Sequence, residues 1–174
     1  MDAKEYKILI LEDEPADAEL MERELRKGGL KFVSKVVMAR EDFSDSLDTF
    51  KPDIILSDYK LPGFDGLSAL GIVKKKCPGC PVILVTGAMK DEEAIMIIES
   101  GASDYILKNN LTRLALSVKR VFRDIEKVGE VNDLKRAQEQ LKARTEELEL
   151  LNKTMIGREL KMVELKKEIE DLKK

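Results

Sequence analysis

Asp53-Ile-Ile-Leu-Ser-Asp58 is the stretch whose reading decides the fold. It follows Pro52, carries three consecutive aliphatic residues and ends on a carboxylate. A short apolar run that does not alternate with polar residues is expected of a strand covered on both faces. We read Asp53–Ser57 as that strand, with Asp58 directly after it. Tyr6–Leu11 repeats the pattern and is followed by Glu12 and Asp13. Lys31–Val37, Val82–Thr86 and Asp104–Leu107 supply three more strands. Between them the apolar spacing changes to that of helices. Pro15–Gly28 places Ala18, Leu20, Met21 and Leu25 roughly on one face, and Gly28-Gly29 stops it. Arg40–Phe50 has Phe43, Leu47 and Phe50 at helical spacing, and Gly66–Lys75 and Asp91–Ser100 read as further helices. A last helix begins near Leu111 or Thr112.

Five strand–helix units in alternation imply a doubly wound α/β fold, a parallel sheet with helices on both faces. In the order 2-1-3-4-5, the flavodoxin-like arrangement, strands one and three are neighbours and ligands sit at the edge formed by the strands' C-terminal ends. Glu12, Asp13 and Asp58 then converge there. Three close carboxylates repel one another, and at least one pKa should rise. A divalent cation relieves the repulsion, and hard oxygen ligands with few protein contacts suit Mg²⁺. Thr86 ends the fourth strand and Lys108 the fifth, on the same edge. A carboxylate nucleophile, a metal, a hydroxyl donor and a fixed cation are the parts needed to transfer a phosphoryl group to a carboxylate. Singly, each residue has a plainer reading: Asp13 and Glu14 as helix caps, Thr86 before Gly87 as a turn, Lys108 as a solvated charge. As a set at strand ends, they point to a site.

The chain has 174 residues, enough for one domain and an appendage. Hydrophobic residues make up 43%, which allows a sizeable core, while the 37% charged residues signal a long solvated element. A net charge of −3 argues against a general nucleic-acid binder. No apolar run approaches the ~20 residues of a membrane span. Met1–Lys7 is charged and polar without a signal-peptide core, so a cytoplasmic location is expected. The chain contains no histidine, so any imidazole chemistry must come from a partner. Cys77-Pro-Gly-Cys80 lacks the further ligands of a zinc site and is not at a helix N-terminus, where a thiolate would be favoured. It reads as a turn with two reduced thiols.

From about Val131 the strand signals stop. Leu134, Leu141, Leu148, Met155, Met162 and Ile169 recur every seventh residue, with Ala137, Leu151, Leu165 and Leu172 three positions further on. This 3–4 spacing is a coiled-coil seam, interrupted by Arg144 and Arg158. Val118, Val121, Ile125 and Val128 have the same spacing in another phase, so the register slips near Gly129–Asp133. We expect a domain over residues 1–126 and a coiled-coil helix or signalling linker over 127–174, the latter forming a homodimer with parallel chains.

Five stretches together resemble the CheY-like response-regulator receiver domains of two-component systems. They are Ile8-Leu-Ile-Leu-Glu-Asp-Glu14, Asp53-Ile-Ile-Leu-Ser-Asp58, Leu61-Pro-Gly-Phe-Asp-Gly66, Val82-Ile-Leu-Val-Thr-Gly87 and Gly101-Ala-Ser-Asp-Tyr-Ile-Leu-Lys108. The resemblance covers roughly residues 5 to 125. It implies Asp58 as phosphoacceptor, with Mg²⁺ held by Asp13 directly, by Glu12 mainly through water, by Asp58 and by the Lys60 carbonyl. It implies that Thr86 and Lys108 bind phosphoryl oxygens, and that Tyr105 is an aromatic switch coupled to Thr86. The donor would be a histidine kinase or a histidine phosphotransfer protein. The chain would be a regulatory phosphoacceptor, catalysing at most its own phosphorylation and dephosphorylation. The sequence departs from the family where Lys108 precedes Asn109 and not proline. Leu151–Leu160 resembles linkers placed ahead of kinase-type modules. A receiver-like scaffold that binds partners without phosphorylation is the rival reading. A flavodoxin-like cofactor binder is disfavoured by the acidic loop Glu12-Asp13-Glu14-Pro15. An aspartate phosphatase is disfavoured by Lys60, where a second aspartate is usual.

Overall fold

The structure is a computed structural model that describes residues 5–88 and 91–172. The polar lead-in at Met1–Lys4 and the side chain of Leu172 lie outside the described residues. The chain divides into two compact units, Met1–Asp124 and Ile125–Lys174.

In the first unit, strands β1 (Tyr6–Leu11), β2 (Phe32–Val37), β3 (Ile54–Asp58), β6 (Val82–Thr86) and β7 (Asp104–Leu107) form one parallel sheet in the order β2-β1-β3-β6-β7. This is the doubly wound order expected from the sequence. A two-residue hairpin, β4 (Lys60–Leu61) with β5 (Phe64–Asp65), separates β3 from the next helix. Helices α1 (Pro15–Lys27), α2 (Arg40–Thr49), α3 (Gly66–Lys76) and α4 (Asp91–Glu99) follow the strands, and α5 covers Leu114–Leu172.

The strands' two-residue period sorts their side chains into two cores. Ile8, Ile10, Ile54, Leu56, Ile83 and Val85 pack with Met21 and Leu25 of α1 and Leu114 and Val118 of α5. Leu9, Leu11, Ile55 and Leu84 pack with Phe43 and Leu47 of α2, Leu70 and Val73 of α3 and Ile97 of α4. Burial of each such side chain contributes about 1.5–3 kcal/mol. Both faces are therefore covered, which is why the strand sequences do not alternate.

Boundary differences have local causes. Asp58 is itself the last residue of β3, because the register to β6 pairs it with Val85. Lys108–Arg113 forms a 3₁₀ segment before α5, with Asn110 in a non-helical conformation (φ −132°, ψ 38°). All peptide bonds among the described residues are trans, including the one after Lys108.

In the second unit α5 runs through Gly129 and Gly157 without a break. A glycine costs a helix interior about 1 kcal/mol relative to alanine, too little to end it here. The slipped register thus changes the apolar face and not the backbone. Leu134, Leu141, Leu148, Leu151, Met155, Met162, Leu165 and Ile169 are all exposed.

Candidate functional site

The strand C-termini bring the expected residues to one edge. Glu12 follows β1, which pairs with β3 through Ile10↔Leu56 and Leu11↔Ser57. Thr86 ends β6 beside β3, and Lys108 follows β7 beside β6. Parallel pairing with short offsets is what places four separate chain segments within reach of one another.

Asp58 is buried at this edge. Its Oδ1 accepts a hydrogen bond from the Lys60 backbone N–H at 3.1 Å, and its Oδ2 accepts from Lys108 Nζ at 2.8 Å. The Lys60 backbone is held by the small hairpin, in which Lys60 faces Asp65. Asp65 then caps α3, accepting from the Ser68 N–H at 2.7 Å. Gly66 starts α3 against the end of β3. A Cβ there would lie 2.9 Å from Leu84 Cδ2, 3.0 Å from Tyr59 Cα and 3.1 Å from the Asp58 carbonyl oxygen. Only glycine allows that approach, so the residue at position 66 helps set the backbone of Asp58.

Glu12 is fully buried, and its Oε1 accepts from the Glu14 N–H at 3.2 Å. Its Oε2 lies 2.9 Å from Lys108 Nζ, yet off the line of a well-formed hydrogen bond, so this buried oxygen has an unmet lone pair. Burial pushes the Glu12 carboxyl above its ordinary value and the Asp58 charge adds to that, while Lys108 and the Glu14 amide oppose without cancelling. Glu14 occupies the N-cap of α1 but makes no side-chain capping bond, and Pro15 begins the helix. The plainer capping reading of Glu14 therefore has no hydrogen bond behind it.

One carboxylate oxygen each from Glu12, Asp13 and Asp58 lie within 4.8 Å of one another, with Asp13 the most exposed of the three. An all-oxygen donor set with an unsatisfied buried lone pair fits a hard divalent cation. Among the described residues neither cysteine belongs to such a group. Cys77 caps the end of α3, and the Cys80 thiol donates to the Pro52 carbonyl at 3.4 Å. Burial pushes the Cys80 thiol far up, away from a reactive thiolate.

Lys108 is the hub of the site. Besides Asp58 and Glu12, its Nζ meets Asp17 Oδ2 at 2.6 Å. Burial by itself lowers the ammonium's pKa, but the hydrogen bonds to Asp17 and Asp58 and the neighbouring Glu12 carboxylate outweigh it and hold the group above the ordinary lysine value. Asp17 is the residue that sequence reasoning missed. Its signal was present: it stands in the first turn of the helix that follows the acidic pair, four residues after Asp13.

Thr86 and Tyr105 occupy the same edge region without bonding to Asp58. The fully buried Thr86 hydroxyl donates to the Ala88 carbonyl at 3.2 Å, in keeping with its turn reading. Tyr105 is half-buried against the α2–α3–α4 core. It also lines a cleft of about 310 Å³ with Asn110 and Arg113. Behind β7, Asp104 is tied to α5 by Ser117 and by Arg120, the latter at 2.7 Å.

Residues 8–119 match the family model described as the response regulator receiver domain. The chain is 33% identical over 109 residues to the response regulator protein FleR of Pseudomonas aeruginosa, covering 59% of this chain. It spans 21% of that relative's length. Among solved structures, a CheY-like response regulator receiver domain protein from Methanospirillum hungatei superposes with a TM-score of 0.62 at 26% identity, over 71% of this chain and 98% of that one. A fusion carrying the yeast Spc42 trimeric coiled coil superposes with a TM-score of 0.66 at 25% identity, over 90% of this chain and 99% of that one. Among the described residues no helix is long and apolar enough to cross a membrane.

Proposed function

The chain belongs to the response regulator receiver domain family, and from that premise we propose that it accepts a phosphoryl group on Asp58 and passes the signal through its C-terminal helix. The observation that carries this reading is the convergence of a buried Asp58 with the Lys108 ammonium at 2.8 Å and the Glu12–Asp13 carboxylates. The donor is a phosphohistidine on a histidine kinase or phosphotransfer protein, since this chain has no histidine. An Asp58 carboxylate oxygen attacks phosphorus as the donor's phosphorus–nitrogen bond breaks, and the imidazole leaves with that electron pair. The Lys60 amide and Lys108 orient the Asp58 carboxylate. Lys108 also supplies a fixed positive charge where the transferred oxygens gather.

Glu12, Asp13 and Asp58, with the Lys60 carbonyl, would hold Mg²⁺, which when bound supplies charge neutralisation at the phosphoryl oxygens. To bind one of those oxygens, the Thr86 hydroxyl leaves the Ala88 carbonyl, and Tyr105 moves with it. Two packings of small energy difference make such a switch. The response reaches α5 through the β7 ties to Ser117 and Arg120. The output is a change in packing between two copies along the leucine seam of residues 134–172, a homodimer in this reading. The chain acts as a regulatory phosphoacceptor and not as an enzyme on other substrates.

Intact mass after incubation with Mg²⁺ and acetyl phosphate tests the chemistry. One added phosphoryl group is expected, lost with Asp58→Asn and lost when Mg²⁺ is removed. A folded, Mg²⁺-binding protein that gains nothing would instead be a receiver-like scaffold working through its coiled coil.

A further inference from the structure

Asp17 belongs to none of the motifs that define the site, yet it makes the shortest contact to the lysine at its centre. An acidic residue in the first turn of a helix normally faces the helix's own amides. Here Oδ2 reaches across to Lys108 Nζ at 2.6 Å, against 2.8 Å for Asp58 and 2.9 Å for Glu12. An ammonium has three donors, and three carboxylates surround this one. A phosphoryl group arriving on Asp58 brings new oxygens to an ammonium that already donates to Asp17 and Asp58 and has Glu12 Oε2 2.9 Å away. The new oxygens then compete with these carboxylates for Lys108. Glu12 is fully buried, and its release would strand a charge away from water. The Asp17 side chain is 32% exposed, so water can take over its hydrogen bond at the least cost.

We propose that Asp17 is a positioning residue, which holds Lys108 in the resting site and competes with the incoming phosphoryl group for its ammonium. The inference rests on the reading of Asp58 as phosphoacceptor. It has two consequences of opposite sign. With Asp17 present, Lys108 is drawn partly off Asp58 and Glu12, and an extra negative charge stands beside the acidic cluster. Both effects favour a divalent cation. The same charge and the same hold on Lys108 disfavour an anionic phosphodonor.

The test compares full-length wild type with Asp17→Asn, Asp17→Glu and Glu19→Gln. Mg²⁺ affinity is read by calorimetry. The initial rate of phosphorylation is read by intact mass at saturating Mg²⁺ with acetyl phosphate, whose carboxyl–phosphate bond breaks to release acetate as Asp58 bonds to phosphorus. For Asp17→Asn we expect Mg²⁺ binding to weaken by roughly two- to fivefold and phosphorylation to quicken by a similar factor, the scale of one partly exposed ion pair. Asp17→Glu should return both values toward wild type. Glu19→Gln removes an exposed charge from the same helix and should change neither. A purely structural role for Asp17 would lower both quantities together, and that result would overturn the proposal. So would an Asp17→Asn protein that matches wild type, or a Glu19→Gln protein that shifts as far as Asp17→Asn. Wild type that takes no phosphoryl group would count against the receiver chemistry itself, and the competition would fall with it. Wild type that is labelled alongside an indistinguishable Asp17→Asn counts against Asp17 alone.

Discussion

Ile10 and Leu148 are both aliphatic residues on regular apolar stripes, but Ile10 has no solvent exposure and Leu148 keeps 55%. The first stripe follows the period of a strand and the second that of a coiled coil, so the two units meet the same demand differently. In Met1–Asp124 the strands' apolar residues are covered by helices of the same unit. In Ile125–Lys174 a single helix offers a seam with nothing of its own to cover it. The change falls within α5, where Val118, Val121 and Phe122 are buried and Ile125 and Val128 are exposed. An isolated helix gains its stability mainly by packing an amphipathic face. The first unit covers its own apolar residues, and the second leaves its apolar seam exposed.

The largest effect should come from the self-covered unit. Leu56→Ala removes a fully buried side chain at the centre of the sheet and should cost about 2–5 kcal/mol, read by urea unfolding followed at the tyrosines. A loss below about 1 kcal/mol would mean that the core is looser than its burial implies. Leu148→Ala is the counterpart in the tail. It should leave that unfolding transition unmoved and weaken self-association by about 2 kcal/mol per chain, read by sedimentation across concentration. A tail variant that instead destabilised the receiver unit would erase the distinction between the two.

Smaller effects probe the site within the first unit, through pH. Hydrogen bonds from Ser68, through its hydroxyl and its backbone amide, hold the Asp65 carboxyl below its ordinary value. A carboxyl depressed by folding contributes stability above its unfolded pKa and loses it as pH falls through the folded value. Asp65→Ala should therefore cost about 1 kcal/mol at neutral pH, the usual scale of a lost helix cap, with the gap closing in acid. Glu12 has the opposite sign. Its raised pKa means that the charged form is disfavoured in the fold, a cost absent below the ordinary glutamate range and growing as pH rises through the folded value. Without Mg²⁺, Glu12→Gln should raise the melting temperature at neutral pH and leave it unchanged in acid. A lowered melting temperature at neutral pH would show the pairing with Lys108 to outweigh burial.

Much of the site was legible in the sequence, and for a definite reason. A carboxylate that directly follows an apolar run is carried to the C-terminal edge of a parallel sheet wherever that run becomes a strand. Asp58, Glu12, Asp13, Thr86 and Lys108 could thus be assembled from their places relative to strands alone. The hairpin Lys60–Leu61 with Phe64–Asp65 was not legible, because two-residue strands leave no periodic trace. The bond from Thr86 to Ala88 was not legible either, since a hydroxyl's partner depends on the loop that follows it.

By itself the sequence determined the alternation of strands and helices, the edge on which the acidic residues lie and the heptad phase of the tail. These follow from periods of two, three and a half and 3.6 residues, which are local properties of the chain. Only the tertiary structure decided which carboxylates share Lys108, because residues 12, 17, 58 and 108 are brought together by packing and not by spacing. It also decided where the apolar stripe of α5 stops being core, since whether an apolar face is covered depends on the surface that meets it.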